Sequence, residues 1–207
     1  MNNQALVIKA ELIDALLTQK NLDLLISELP FLKCNRLADL IAIDKDTTIG
    51  FEIKSDKDSL RYLQKQISDY LKVFNITYIV IAEKFREHYI IKNLPKAVGI
   101  ITVSTSQKLC WQRKAIRRSK LDKKSLLSLL WKKDLLNLAN GNEDTNYDVL
   151  KNQALKQNST LQIQKQVLAA LKDRYLPAYQ MFLQDRENYT SIEDLKTITG
   201  LKKNLVV

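Results

Sequence analysis

The stretch Leu37-Ala38-Asp39-Leu40-Ile41-Ala42-Ile43 sets one carboxylate inside the most apolar run of the chain. The run is too short and too uniformly apolar for a surface helix, so it reads as a buried central strand. A buried carboxylate is costly unless it is paired, hydrogen-bonded or bound to a metal ion. Asp39 therefore needs partners, and the chain offers them just downstream. Asp44-Lys45-Asp46-Thr47 is turn chemistry, and Gly50-Phe51-Glu52-Ile53-Lys54 is a second strand, so the two strands form a hairpin. Alternation puts Glu52 and Lys54 on one face and Ile53 on the other. A turn centred near residues 45–47 sets Asp39 opposite Glu52 or Lys54. Two carboxylates and an ammonium are expected to converge on one sheet surface.

Such a set suits metal-assisted phosphodiester hydrolysis. Mg2+ (or Mn2+) takes oxygen ligands, and a carboxylate pair holds it while leaving positions for water and a phosphate oxygen. Asp39, Glu52 and the backbone carbonyl of Ile53 are the candidate metal ligands. The ion would acidify a water and polarise the phosphorus–oxygen bonds. Lys54 would orient or deprotonate that water and offset transition-state charge. Without an ion, two crowded acids should repel and raise one pKa.

The rest of the chain frames this hairpin. Residues 4–19 read as an amphipathic helix with Leu6, Ala10, Ile13, Leu16 and Leu17 along one side. A short apolar segment, LDLLISEL, stops at Pro30 and is given no strand of its own. A helix over about 56–74, with Ser55, Asp56 and Asp58 as cap candidates, buries Leu60, Leu63, Ile67, Leu71 and Phe74. Ile76–Ala82 and Gly99–Val103 are buried strands flanking a short helix at 85–93, and Lys108–Gln112 adds an edge strand. Beyond Lys120 the segments read helical: about 122–139, 147–157, 160–183 and 191–198, with Pro177 expected to kink or break the third. This predicts an α/β core over 1–118 and a basic helical extension over 119–207.

Glycine and proline are scarce, at 4 and 3 in 207 residues, which excludes glycine-rich phosphate loops. No apolar run is long enough to span a bilayer and the start lacks a secretion leader, so a cytoplasmic protein with no membrane association is expected. Cys34 and Cys110 read as reduced, small buried groups. His88, the single histidine, has no ligand or triad spacing around it.

The formal net charge is +10, and it is localised: Lys108–Lys133 holds ten basic residues and one acid, Asp122. A block of this kind suggests a nucleic-acid partner, with a solvated lysine-rich face as the plain alternative. Arg113, Lys114, Arg117, Arg118, Lys120, Lys123 and Lys124 are the candidate phosphate contacts. Arg36 either grips a phosphate or pairs with a surface acid. Trp131, behind Leu127, Leu129 and Leu130, is expected to pack, and Trp111 is left open.

The arrangement Arg36-Leu37-Ala38-Asp39, then Gly50-Phe51-Glu52-Ile53-Lys54-Ser55-Asp56, then Gln66-Ile67-Ser68-Asp69-Tyr70 resembles the D…ExK signature of the PD-(D/E)XK, restriction-endonuclease-like nuclease superfamily. It is similar to a small bacterial family of largely unassigned role, over about Glu28 to Gly99. The resemblance implies an αβββαβ core, a site lined by Gln66 and Tyr70 from the helix after ExK, and Glu28 as a second-metal ligand. The plain alternatives are packing for Tyr70 and an exposed helix-end carboxylate for Glu28. The expected function is metal-dependent hydrolysis of nucleic acid, DNA before RNA. The alternatives are a non-catalytic nucleic-acid-binding or adaptor protein that retains the fold, and a helical scaffold meeting an acidic partner.

Overall fold

A computed structural model describes residues 3–19 and 21–201. Its frame is a mixed six-stranded sheet in which every strand lies beside its sequence neighbours. The strands are β1 (Leu24–Phe31), β2 (Arg36–Asp44), β3 (Thr47–Lys54), β4 (Ile76–Ala82), β5 (Val98–Val103) and β6 (Leu109–Arg113). β1–β2, β2–β3 and β5–β6 pair antiparallel, while β3–β4 and β4–β5 pair parallel. Parallel neighbours need crossovers. These carry α2 (Leu63–Val73) and the short α3 (Tyr89–Lys92). With α1 (Asn3–Gln19) in front, the chain opens in the order α1, β1, β2, β3, α2, β4. The rest is helical: α4 (Lys123–Leu126), α5 (Lys132–Ala139), α6 (Tyr147–Gln157), α7 (Thr160–Asp185) and α8 (Asp194–Thr197).

Several boundaries differ from the sequence reading, each for a local reason. The segment ending at Pro30 is β1, and Pro30 pairs with Leu37 inside it. Proline is tolerated there because β1 is an edge strand of the sheet. The helix expected from residue 56 starts at Leu63, because Ser55 and Asp58 satisfy each other: the Ser55 N–H and Oγ–H both donate to Asp58 Oδ2, at 2.8 and 2.6 Å. The helix expected over 85–93 is a 3-10 turn at Glu83–Phe85 followed by α3. The helix expected over 122–139 is interrupted by a 3-10 turn at Leu127–Leu129 and an extended Leu130. Asp134 accepts from the Trp131 N–H at 2.9 Å and so starts α5. Pro177 does not break α7, which runs on to Asp185. Both Pro177 and Asp173, whose carbonyl loses its partner, are exposed, so water can satisfy that oxygen. Cys34 and Cys110 are exposed rather than buried. No helix of the described residues is long and apolar enough to cross a membrane.

The main core joins Leu12 and Ile13 of α1, the inner residues of β1–β3, and Leu127, Ile163, Val167 and Leu171 of the C-terminal helices. Packing is therefore continuous across residues 118–119, where the element type changes. Buried Asn75 ties the same halves together. Its Oδ1 accepts from the Thr48 N–H, Thr48 Oγ1 and Gln164 Nε2, and its Nδ2 donates to the Arg118 carbonyl. A smaller core lies under α3, around Leu63, Ile79, Ile81 and Ile91. The outer edge of β1 is covered by the C-terminal segment: the Ser27 N–H donates to Ile198, and the Gly200 N–H donates back to Ser27. A Cβ at Gly200 would stand 2.9 Å from Leu29 Cα, so this approach requires glycine.

Candidate active site

The register builds the site. Ser27↔Leu40 and Leu29↔Ala38 flank Glu28 and Asp39, and Leu40↔Phe51 adjoins Asp39 and Glu52. Glu28, Asp39 and Glu52 thus lie on one line across β1, β2 and β3. Asp39 faces Glu52 rather than Lys54. Gly50, Glu52 and Lys54 share the face covered by α2. A Cβ at Gly50 would lie 2.6 Å from the Phe74 ring and 2.9 Å from Tyr70, so glycine lets α2 sit directly on β3. Glu52 is 2% exposed. Its Oε1 accepts from Lys54 Nζ at 2.8 Å and from Gln66 Nε2. Its Oε2 is buried and, among the described residues, has no hydrogen-bond partner of ordinary geometry.

Between β2 and β3 the ladder ends at Leu40↔Phe51. Beyond it the strands are joined by side chains. The Ile53 N–H donates to Asp39 Oδ2 at 2.7 Å. The Tyr70 hydroxyl accepts from the Asp39 N–H at 3.1 Å and donates to the Phe51 carbonyl at 3.3 Å. Tyr70 is a wedge that holds the two acid-bearing strands at a fixed spacing, and its ring packs edge-on to Phe31. Burial, then the charges of Glu52 and Asp39, push its hydroxyl pKa well above the usual value. Burial and then Glu52 push the Asp39 carboxyl up to about 7, against the Ile53 hydrogen bond and the charges of Lys9 and Lys54.

Lys9 is the member that the sequence reading missed. Its side chain is completely buried. It donates to Ser27 Oγ at 2.9 Å and lies 3.6 Å from Glu28 Oε1. Burial lowers its pKa, opposed by Glu28 and Asp39. A signal existed: Lys9 stands four residues from Ala5 and Ile13, in the middle of the buried stripe of α1. Glu28 has a left-handed backbone, φ 57°, and faces this lysine. Among the described residues, no group of three or more His, Cys, Asp or Glu side chains is arranged to hold a metal ion. The donors fit a hard divalent cation as a pair, Asp39 and Glu52, completed by backbone and water. A strand residue presents its N–H and C=O to the same side, so the Ile53 carbonyl lies on the edge that faces Asp39.

The candidate phosphate contacts fall in different places. Arg36 is paired with Asp69 at 2.8 Å, and Asp69 also holds Lys72. Arg113 donates to the Val98 and Pro95 carbonyls, Arg118 to the Leu71 carbonyl, and Lys123 to the Leu155 carbonyl. Arg117 pairs with Asp46 at the turn end of β3, the end opposite Lys54. Lys114, Lys120 and Lys124 are exposed. Trp111, on β6, stands edge-on to Tyr78 of β4. Trp131, expected to pack, is 38% exposed with Arg174 against its ring.

A family model described as Bacteriophage P4 protein cII matches residues 2–199. No curated protein matches the chain. Among solved structures, a protein of unknown function from Silicibacter pomeroyi is similar over 58% of this chain and 77% of its own, at 15% identity and a TM-score of 0.44.

Proposed function

We propose that this chain, which belongs to the Bacteriophage P4 protein cII family, hydrolyses phosphodiester bonds of nucleic acid, DNA before RNA, with a divalent cation at Asp39 and Glu52. The observation that carries the proposal is Glu52 Oε2, a buried carboxylate oxygen with no hydrogen-bond partner of ordinary geometry among the described residues, one strand away from Asp39. Such an oxygen is costly unless a ligand satisfies it. The opening element order, α, three strands, α and strand, supports a restriction-endonuclease-like core.

Mg2+ or Mn2+ held by Asp39, Glu52 and the Ile53 carbonyl would supply charge to the phosphoryl oxygens and acidity to a water. The chain's own groups do the rest. Gln66 and Lys54 hold Glu52 Oε1 and so aim Oε2 away from themselves. The Ile53 N–H fixes one oxygen of Asp39. Lys54, 12% exposed, offers its remaining ammonium protons to the attacking water or to a phosphoryl oxygen. Glu28 is engaged by Lys9, which leaves Asp39 and Glu52 as the working acids.

The test is cleavage of a mixed nucleic-acid panel with Mg2+ or Mn2+, by the wild type beside Glu52→Ala and Lys54→Ala. Lys54→Ala is expected to lower cleavage by roughly 10²- to 10⁴-fold, and Glu52→Ala to abolish metal binding in calorimetry. Both should keep salt-sensitive binding. Variants that cut like the parent would sink the reading. A protein that binds nucleic acid but no cation is instead the adaptor.

A further inference from the structure

Lys9 is the most deeply buried charged residue among the described residues. An ammonium has three N–H donors and accepts nothing, so out of water it needs acceptors and an opposing charge. The sheet supplies both. Ser27 Oγ accepts at 2.9 Å, and Glu28 Oε1 lies 3.6 Å away. Burial works against the charge of Lys9, while Glu28 and then Asp39 sustain it. A fixed positive charge therefore stands at the β1 end of the row Glu28, Asp39, Glu52, and the pair that fits a divalent cation lies at the β3 end.

The backbone is bent to make this contact. Successive strand residues point to opposite faces, yet Ser27 and Glu28 both reach the one ammonium. The reason is the left-handed backbone of Glu28, φ 57°, in the middle of β1. That region is disfavoured for any residue with a Cβ, and strain of this kind gathers at functional sites. The β1–β2 ladder skips the same place: Ser27↔Leu40 and Leu29↔Ala38 pair, and Glu28 and Asp39 stand between them unpaired. The bend brings the Glu28 carboxylate to the side of β1 on which Lys9 lies. Ser27 is fixed from the outside, through its backbone bonds to Ile198 and Gly200.

We infer that the Lys9 ammonium takes the place of a second divalent cation, between Glu28 and Asp39, and so limits the site to one such ion. The inference deepens the proposed function and rests on it for the first ion, at Asp39 and Glu52. A row of three carboxylates has charge enough for two hard cations, and here one of them is replaced by a charge tethered to α1. A dication brought between Glu28 and Asp39 would meet that charge in a poorly screened place, where like charges repel strongly. The Glu28 side chain is 23% exposed, so an ion from solvent can reach it once the ammonium is gone. Lys9 itself, with no exposed surface, touches no substrate. It is a positioning residue that acts through the two acids.

The test counts Mn2+ bound to the full chain, by calorimetry and by the paramagnetic resonance of the free ion. The wild type should bind one ion and Lys9→Met two. Lys9→Met/Glu28→Gln, which removes both charges, should return the count to one. Mn2+ should also raise the melting temperature of Lys9→Met more than that of the wild type. A lysine that served the fold alone would leave the count at one throughout. Should Lys9→Met fold poorly, Lys9→Gln, which keeps a donor for Ser27 Oγ, is read the same way. Two ions on the wild type overturn the inference, as does one ion on the folded Lys9 variant or two on the double variant. The two readings fail separately. One ion on both the wild type and the Lys9 variant removes the inference alone. No ion on the wild type and one on the Lys9 variant removes the cation at Asp39 and Glu52 alone, and no ion on either removes both.

Discussion

Burial, and after it the negative charge of Glu52, lift the Asp39 carboxyl from its ordinary 3.8 to about 7. Between those values the folded chain holds a proton that the unfolded chain has released. Metal-free stability should therefore fall as pH rises from about 4 to 7 and level off above. A cation at the same oxygens competes with that proton, so Mn2+ affinity should climb through pH 7 and flatten beyond it. Calorimetric titration at pH 6, 7 and 8 measures this. Affinity independent of pH would separate the ion from Asp39. Asp39→Asn keeps an acceptor for the Ile53 N–H, removes the charge, and should flatten both curves. The hairpin acids could be read from the sequence because an acid in an apolar strand stands out against its neighbours. Lys9 could not be read the same way, because a lysine on a helix normally reaches solvent along its own stem. Only its position on the buried stripe of α1 marks it.

At the level of elements, short uniformly apolar runs and turn chemistry disclosed β2, β3, β4 and β5, and the edge strand expected at 108–112 is β6. β1 was lost to its proline, whose meaning depends on whether a strand is central or at an edge, and one segment alone does not say. The long helix expected after Asp122 was lost to a single carboxylate, Asp134, that turns back onto the Trp131 N–H. The α2–hairpin junction could not be read either, since no pattern announces a tyrosine hydroxyl set between two strands. Tyr70→Phe leaves the Asp39 N–H and the Phe51 carbonyl without that bridge. It should lower stability by about 1–3 kcal/mol in urea titration. It should lower cleavage as well, because the spacing of the acid-bearing strands relaxes. A loss of stability with unchanged turnover would mean that the wedge matters to the fold alone.

For the molecule as a whole, the net charge of +10 is not gathered around the carboxylates. Arg117 lies at the Asp46 end of β3, seven residues from Lys54, a span of roughly 23 Å along the strand. Exposed Lys114, Lys120 and Lys124 should thus contribute affinity and not turnover. Their joint change to glutamine is expected to reduce the slope of log K against log salt by about two to three. The maximal cleavage rate on saturating substrate should be retained. A fall in that rate would place the block at the reacting phosphate. The charge block was visible in the sequence, but its division into bonded and solvated members was not. Arg113, Arg118 and Lys123 are turned to backbone carbonyls that only the assembled fold brings near. The seal on β1 by residues 198–200 has a consequence for synthesis. A ribosome delivers β1 early and the cover for its outer edge more than 160 residues later. Until that stretch emerges, the nascent sheet keeps an open flank of unpaired amides, and a chaperone or a second nascent chain would meet it there.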